Sequence, residues 1–100
     1  MAQARISIPT HAIAEICRRH RIRHLGLFGS VLRDDFRPES DMDMLVKFEP
    51  DAQVGLFRLI EIQDELSALL GHPVDLVPRQ SLKRVIRATV LASEQVVYSI

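Results

Sequence analysis

The sequence predicts an α/β or α+β domain built on one central sheet. Short apolar runs alternate with amphipathic helical stretches, in the order helix, strand, short helix, strand, helix, strand, helix, strand. Hydrophobic residues make up 47% of the chain, enough for a packed core. The length, 100 residues, suits one domain over residues 1–100 with a single core.

The elements follow in turn. "IPTHAIAEICRRH" places Ile13, Ile16 and Cys17 at helical spacing, with Pro9 or Thr10 near the start. "RHLGLFG" reads as a short buried strand ending at Gly29, and Ser30 can cap a short helix, "SVLRDDF". Pro38 and Ser40 mark a loop before the strand "DMDMLVKF", whose acids come first and apolar residues after. After a turn at "EPDAQ", Val54 to Leu70 predicts a helix with Leu56, Leu59, Ile60, Leu66, Leu69 and Leu70 as its apolar stripe. Gly71 stops that helix and Pro73 prevents its resumption. "PVDLV" is a third strand. Leu82, Val85, Ile86, Thr89 and Val90 repeat with helical spacing, and "QVVYSI" closes the chain as an edge strand.

Bulk properties remove several function classes. The formal net charge of +0 argues against a generic polynucleotide binder. Cys17 is the only cysteine, so no internal disulfide can form, and a reducing cytoplasm is the expected setting. No apolar stretch is long enough to span a bilayer, and the N-terminus lacks a signal-peptide core.

The chemistry concentrates in "GLFGSVLRDDFRPESDMDMLV". Asp41 and Asp43 are two apart in a strand, so they share a face, about 6–7 Å apart. Two such carboxylates can converge on one divalent ion, and magnesium accepts one or two carboxylates with water and phosphate oxygens filling the rest. The plainer alternative is a loop whose acids face water. Asp75, in "VDLV", adds a third acid in a short apolar strand; if that strand neighbours the first, all three acids meet. Its alternative is an acid exposed at the strand edge or paired with an arginine. Gly29-Ser30 supplies a turn without a Cβ followed by a helix start, a combination that favours an anion. Arg33, one turn on, can pair with phosphate oxygens. Alone, Gly-Ser is also an ordinary capped corner. Together these parts fit a nucleoside triphosphate with magnesium.

"GSVLRDDFRPESDMDMLV" resembles the signature of the minimal nucleotidyltransferases of the DNA polymerase β superfamily: Gly-Ser, an Arg three residues after the Ser, then Ser-Asp-x-Asp opening a strand. Those positions are Gly29, Ser30, Arg33, Ser40, Asp41 and Asp43. "HPVDLV" and the closing "EQVVYSI" are also similar to that family, so the resemblance covers nearly the whole chain. It implies a nucleotidyltransferase-like fold, a central mixed sheet of about four strands flanked by helices. It implies that Asp41, Asp43 and Asp75 are catalytic and bind Mg²⁺, with Asp75 helping to activate the attacking hydroxyl, and that Gly29, Ser30, Arg33 and Ser40 bind the nucleotide. The implied reaction moves AMP from ATP to a hydroxyl. Stand-alone chains of this size resemble antitoxins of toxin–antitoxin pairs, whose partner is a HEPN-type ribonuclease toxin and whose acceptor is a toxin tyrosine. Two rivals stay open: a binding module that neutralises its partner by occlusion, and a small-molecule transferase working with a separate substrate-binding subunit. The expected partners are the toxin and ATP, with no membrane and no polynucleotide; a homo-oligomer is left open. Asp34 departs from the family pattern, which often has Gly there, and either weakens phosphate binding or pairs with Arg37.

Weaker features complete the reading. Arg18 to His24, "RRHRIRH", is a basic helix end and turn, or else a contact for RNA or an acidic partner. Arg79, Lys83 and Arg87 form a wet helix face or reach the triphosphate. The four histidines lack zinc-ligand spacing. Tyr98 reads as a half-buried strand residue, and Cys17 as core.

Overall fold

In the computed structural model, which describes residues 8–29 and 41–100 (side chains excepted at 84–87 and 89), the first helix, α1, spans Thr10–Arg19. Its spacing turns Ile13, Ile16 and Cys17 onto one buried face. Arg18 and Arg19 occupy the last turn, where the helix dipole favours cations. A tight turn with Arg21 in the left-handed region, φ 59, leads into β1, Ile22–Phe28. The expected short helix at "SVLRDDF" lies outside the described residues, as do Ser30, Arg33, Asp34, Arg37, Pro38 and Ser40.

β2, Met42–Phe48, runs antiparallel to β1. The long helix α2, Leu56–Leu70, ends on Gly71 at φ 71, the left-handed C-cap its position suggested. β3, Val74–Pro78, then lies parallel to β2. A 3₁₀ turn at Arg79–Ser81, not foreseen in the sequence, precedes α3, Arg84–Ser93, and β4, Gln95–Ser99, pairs antiparallel with β1. The sheet is mixed and four-stranded, in the order β3-β2-β1-β4, so β4 is an edge strand as expected and β3 is the other.

The core lies on one face of this sheet. Leu25 and Leu27 of β1, Met42, Met44 and Val46 of β2, and Val74 and Leu76 of β3 pack with the α1 stripe and with Ile62 and Leu66 of α2. Tyr98 is partly buried against this cluster. Burial pushes the Cys17 thiol up to about 12, which fits its core placement.

The α2 stripe differs from its prediction. The helix starts at Leu56 rather than Val54, and its buried residues are Ile62 and Leu66, with Leu59, Leu69 and Leu70 partly buried. Leu56 and Ile60 are 69% and 43% exposed. At 3.6 residues per turn, they sit roughly 90–130° around the helix from the core face. Phe57 lies on the far side and is 88% exposed. Side chains at Val85, Ile86, Arg87 and Thr89 are outside the described set; Leu82, just ahead of α3, is buried.

Candidate active site

The site is built by strand alternation. Met42 and Met44 bury themselves on the helix-covered face, so Asp43 between them projects from the other face. Val74 and Leu76 do the same in β3 and leave Asp75 on that second face. The parallel register sets Asp43 directly beside Asp75 as Cα partners, about 4.8 Å apart as in any sheet. The strands are therefore neighbours, as the sequence condition required, but the register brings together Asp43 and Asp75 and does not gather Asp41 with them into a group of three.

Gly29 arrives from the opposite side. The antiparallel register pairs Phe28 with Asp43, and Gly29 follows at φ 77. A Cβ built on Gly29 would press on Asp43 Oδ2 and lie 3.3 Å from its Cγ. The missing side chain is thus the space that the carboxylate occupies. Asp41 immediately precedes β2, exposed at its mouth, while Leu45, two residues beyond Asp43 on the same face, is fully buried. The acids therefore line the open end of a face that closes behind them.

Asp75 lies where the alternative reading put it, at an exposed strand edge, and yet in register with Asp43. Its strand is apolar and its two neighbours are buried, but Asp75 itself is exposed, because β3 is an edge strand. No burial cost has to be offset there. Its backbone is held from the side away from β2. The Val74 N–H donates to Ser67 Oγ at 2.9 Å, and the Leu76 N–H donates to Gln63 Oε1 at 3.0 Å. Neither α2 residue was singled out in the sequence. The available signal was two polar residues four apart in a mostly apolar helix.

Asp43 and Asp75 side by side on one face, Asp41 at the mouth of the strand and a glycine that makes room for the Asp43 carboxylate are a donor set suited to magnesium. Among the described residues no three acid, histidine or cysteine side chains already form a group able to hold an ion. A site of one or two carboxylates completed by water and phosphate oxygens does not require such a group.

The basic segment Arg18–His24 is largely answered within the chain. Arg19 Nη1 donates to Glu65 Oε1 at 2.5 Å, and His20 Nε2 also bonds Glu65. Arg21 reaches Asp51 at 2.6 Å and Glu49 at 3.4 Å. His24 Nε2 meets Glu94 Oε2 at 2.7 Å, and the Glu94 side chain lies buried over Gly26, where an added Cβ would fall 2.5 Å from its Cδ. Four of the basic side chains thus face carboxylates of the same chain, which removes most of the motive for an RNA contact. The Arg19 hydrogen bond, and secondarily His20, hold the Glu65 carboxyl below its ordinary value despite some desolvation.

The chain belongs to the nucleotidyltransferase domain family, whose model matches residues 11–97. It is 44% identical over 92 residues to the protein adenylyltransferase MntA of Thermococcus cleftensis, covering 92% of this chain and 89% of that protein. A crystal structure of a toxin–antitoxin with AMP-PNP superimposes with a TM-score of 0.72 at 22% identity, covering 93% of this chain and 75% of that one. A tri-AMPylated Shewanella oneidensis HEPN toxin in complex with its MNT antitoxin matches with a TM-score of 0.60 at 19% identity, covering 91% and 70%. These two structural likenesses concern the fold. No helix among the described residues is long and apolar enough to cross a membrane.

Proposed function

We propose that this chain is an antitoxin that transfers AMP from ATP to a hydroxyl, a tyrosine of a cognate HEPN-type toxin. The observation that carries the reading is the Asp43–Asp75 register, with Gly29 shaped around Asp43. The names of the similar proteins support the choice of acceptor: MntA is a protein adenylyltransferase, and the Shewanella antitoxin sits with an AMPylated toxin.

In this reading the Gly29 turn, Ser30, Arg33 and Ser40 hold the triphosphate. Asp41 and Asp43 hold Mg²⁺, with Asp75 at the edge of the same group. When bound, the ion offsets the charge on the phosphates and on the departing pyrophosphate. Asp75 accepts the proton of the attacking hydroxyl. Its exposure suits that role, since an acceptor carried by another protein has to reach it. The bond from the acceptor oxygen to the α-phosphorus forms as the bond to pyrophosphate breaks. The domain over residues 1–100 supplies the nucleotide side of the reaction, in a cytoplasmic setting.

The test combines Asp41→Asn with Asp43→Asn. Neighbouring carboxylates repel in the absence of a cation, so the variant should fold as well as the parent. A ligand that binds only the folded state at a hundredfold excess over Kd adds about 2.7 kcal/mol. The parent should therefore melt higher with Mg²⁺ and ATP, and the variant should not. Labelled nucleotide should reach the neighbouring gene's product only with the parent. A variant that neutralises that partner as well as the parent does establishes occlusion instead.

A further inference from the structure

We propose that Gln63 and Ser67 of α2 are positioning residues for Asp75, holding the backbone on both sides of it so that its carboxylate stays in register with Asp43. The proposal rests on the role given to Asp75 above. β3 is an edge strand, and successive N–H groups of a strand point to opposite edges. The Val74 and Leu76 N–H groups, which flank Asp75, therefore point away from β2. On an open edge they would bond water and the strand could fray or pair with another chain. Here both are taken by one helix: Val74 by Ser67 Oγ at 2.9 Å and Leu76 by Gln63 Oε1 at 3.0 Å.

The pair is itself ordered. Ser67 donates its hydroxyl proton to the Gln63 carbonyl at 2.8 Å, which leaves an oxygen lone pair to accept from Val74. At the start of the neighbouring strand, the Met42 N–H donates to the Pro73 carbonyl at 2.7 Å. The peptide groups around Asp75 are thus fixed from β2 on one side and from α2 on the other. An exposed acid gains little orientation from packing, so its position comes from its backbone. Gln63 and Ser67 touch neither nucleotide nor acceptor and act only through β3.

The experiment uses Gln63→Met, Ser67→Ala and Ser67→Thr in the full chain. In the apo protein, amide hydrogen exchange at Val74 and Leu76 should speed up at the residue whose acceptor is lost, with β1 amides unchanged. With Mg²⁺, α-labelled ATP and the neighbouring gene's product, Gln63→Met and Ser67→Ala should lower kcat about tenfold, the scale of a sub-ångström misplacement, with KM for ATP within about twofold. Ser67→Thr should recover the rate that Ser67→Ala loses. In an Asp75→Asn background, single-turnover transfer should fall no further when Gln63→Met is added. An equal further loss there overturns the proposal, as does full-rate transfer by Gln63→Met in a chain where Asp75→Asn is inactive. Wild-type transfer by Asp75→Asn overturns the role of Asp75 itself, and the positioning claim with it. If Gln63→Met does not fold, the Ser67→Ala and Ser67→Thr comparison decides in the same way.

Discussion

Gly29→Ala separates the fold from the chemistry because a second glycine serves as its control. Gly29 and Gly71 both adopt left-handed backbone, at φ 77 and φ 71. An alanine forced into that region costs about 1–2 kcal/mol, so each substitution should lower Tm by roughly 5–15 °C in a domain of this size. The surroundings differ. A Cβ on Gly71 meets nothing within 4 Å, whereas a Cβ on Gly29 meets the Asp43 carboxylate closer than the 3.0 Å that such contacts respect. Relief requires Asp43 Oδ2 or the turn to move by about an ångström, a displacement that can cost on the order of a hundredfold in rate. Thermal melts should therefore place Gly29→Ala at or somewhat below Gly71→Ala. Transfer of labelled AMP at a temperature where both are folded should be near wild type for Gly71→Ala and about a hundredfold lower for Gly29→Ala. Equal transfer by the two variants would refute the claim that Gly29 is shaped around Asp43.

Further outcomes follow from single side chains. Cys17, buried and with its thiol pushed up to about 12, should fail to react with a thiol reagent at pH 8 in the native protein and react fully in denaturant. Glu65 has its carboxyl lowered chiefly by the Arg19 hydrogen bond, so its contribution is present above the ordinary value of 4.5 and is lost as pH falls through the folded value. Glu65→Gln should accordingly be less stable than the parent at pH 7, by under about 1 kcal/mol, and the gap should close on acidification below pH 4.5 in urea titrations. Phe57→Ser should unfold within about 0.5 kcal/mol of the parent, because the ring is 88% exposed; a loss several times larger would mean that the ring is packed.

Among the described residues the sequence disclosed the four strands and three helices in their order, because each is a local pattern, though not the 3₁₀ turn. Alternation in "DMDMLVKF" and a capped amphipathic run before Gly71 are decided within a few residues. What it could not disclose depends on partners distant in the chain. The α2 stripe was drawn too wide, since Leu56 and Ile60 obey helical spacing yet extend beyond the part of the helix face that the sheet covers. The basic segment Arg18–His24 read as a helix end and a solvated turn, with a ligand contact as the alternative; its acids, Glu49, Asp51, Glu65 and Glu94, are 28 to 70 residues away and could not be seen from the segment itself. Glu94 over Gly26 left no trace in pattern or motif. Of the nucleotide-binding residues suggested by resemblance, Gly29 is in the described part, and Ser30, Arg33 and Ser40 rest on the sequence alone.

The meeting of Asp43 and Asp75 shows which long-range quantity matters most. The side-chain period of a strand is two, so a slip of one residue between β2 and β3 would bring Asp43 opposite Val74 or Leu76 and tear the acids' alignment apart. Two constraints oppose such a slip. Met42, Met44, Val74 and Leu76 are all buried on the helix side, so a one-residue shift in either strand's facing would drive apolar side chains into water and carboxylates into the core. The backbone adds a second lock, with Pro73 accepting from Met42 on the inner side and Ser67 and Gln63 accepting from β3 on the outer side. The apolar residues that flank each acid are thus part of the candidate site. They determine which face the carboxylates occupy, and the α2 side chains determine where along that face Asp75 stands.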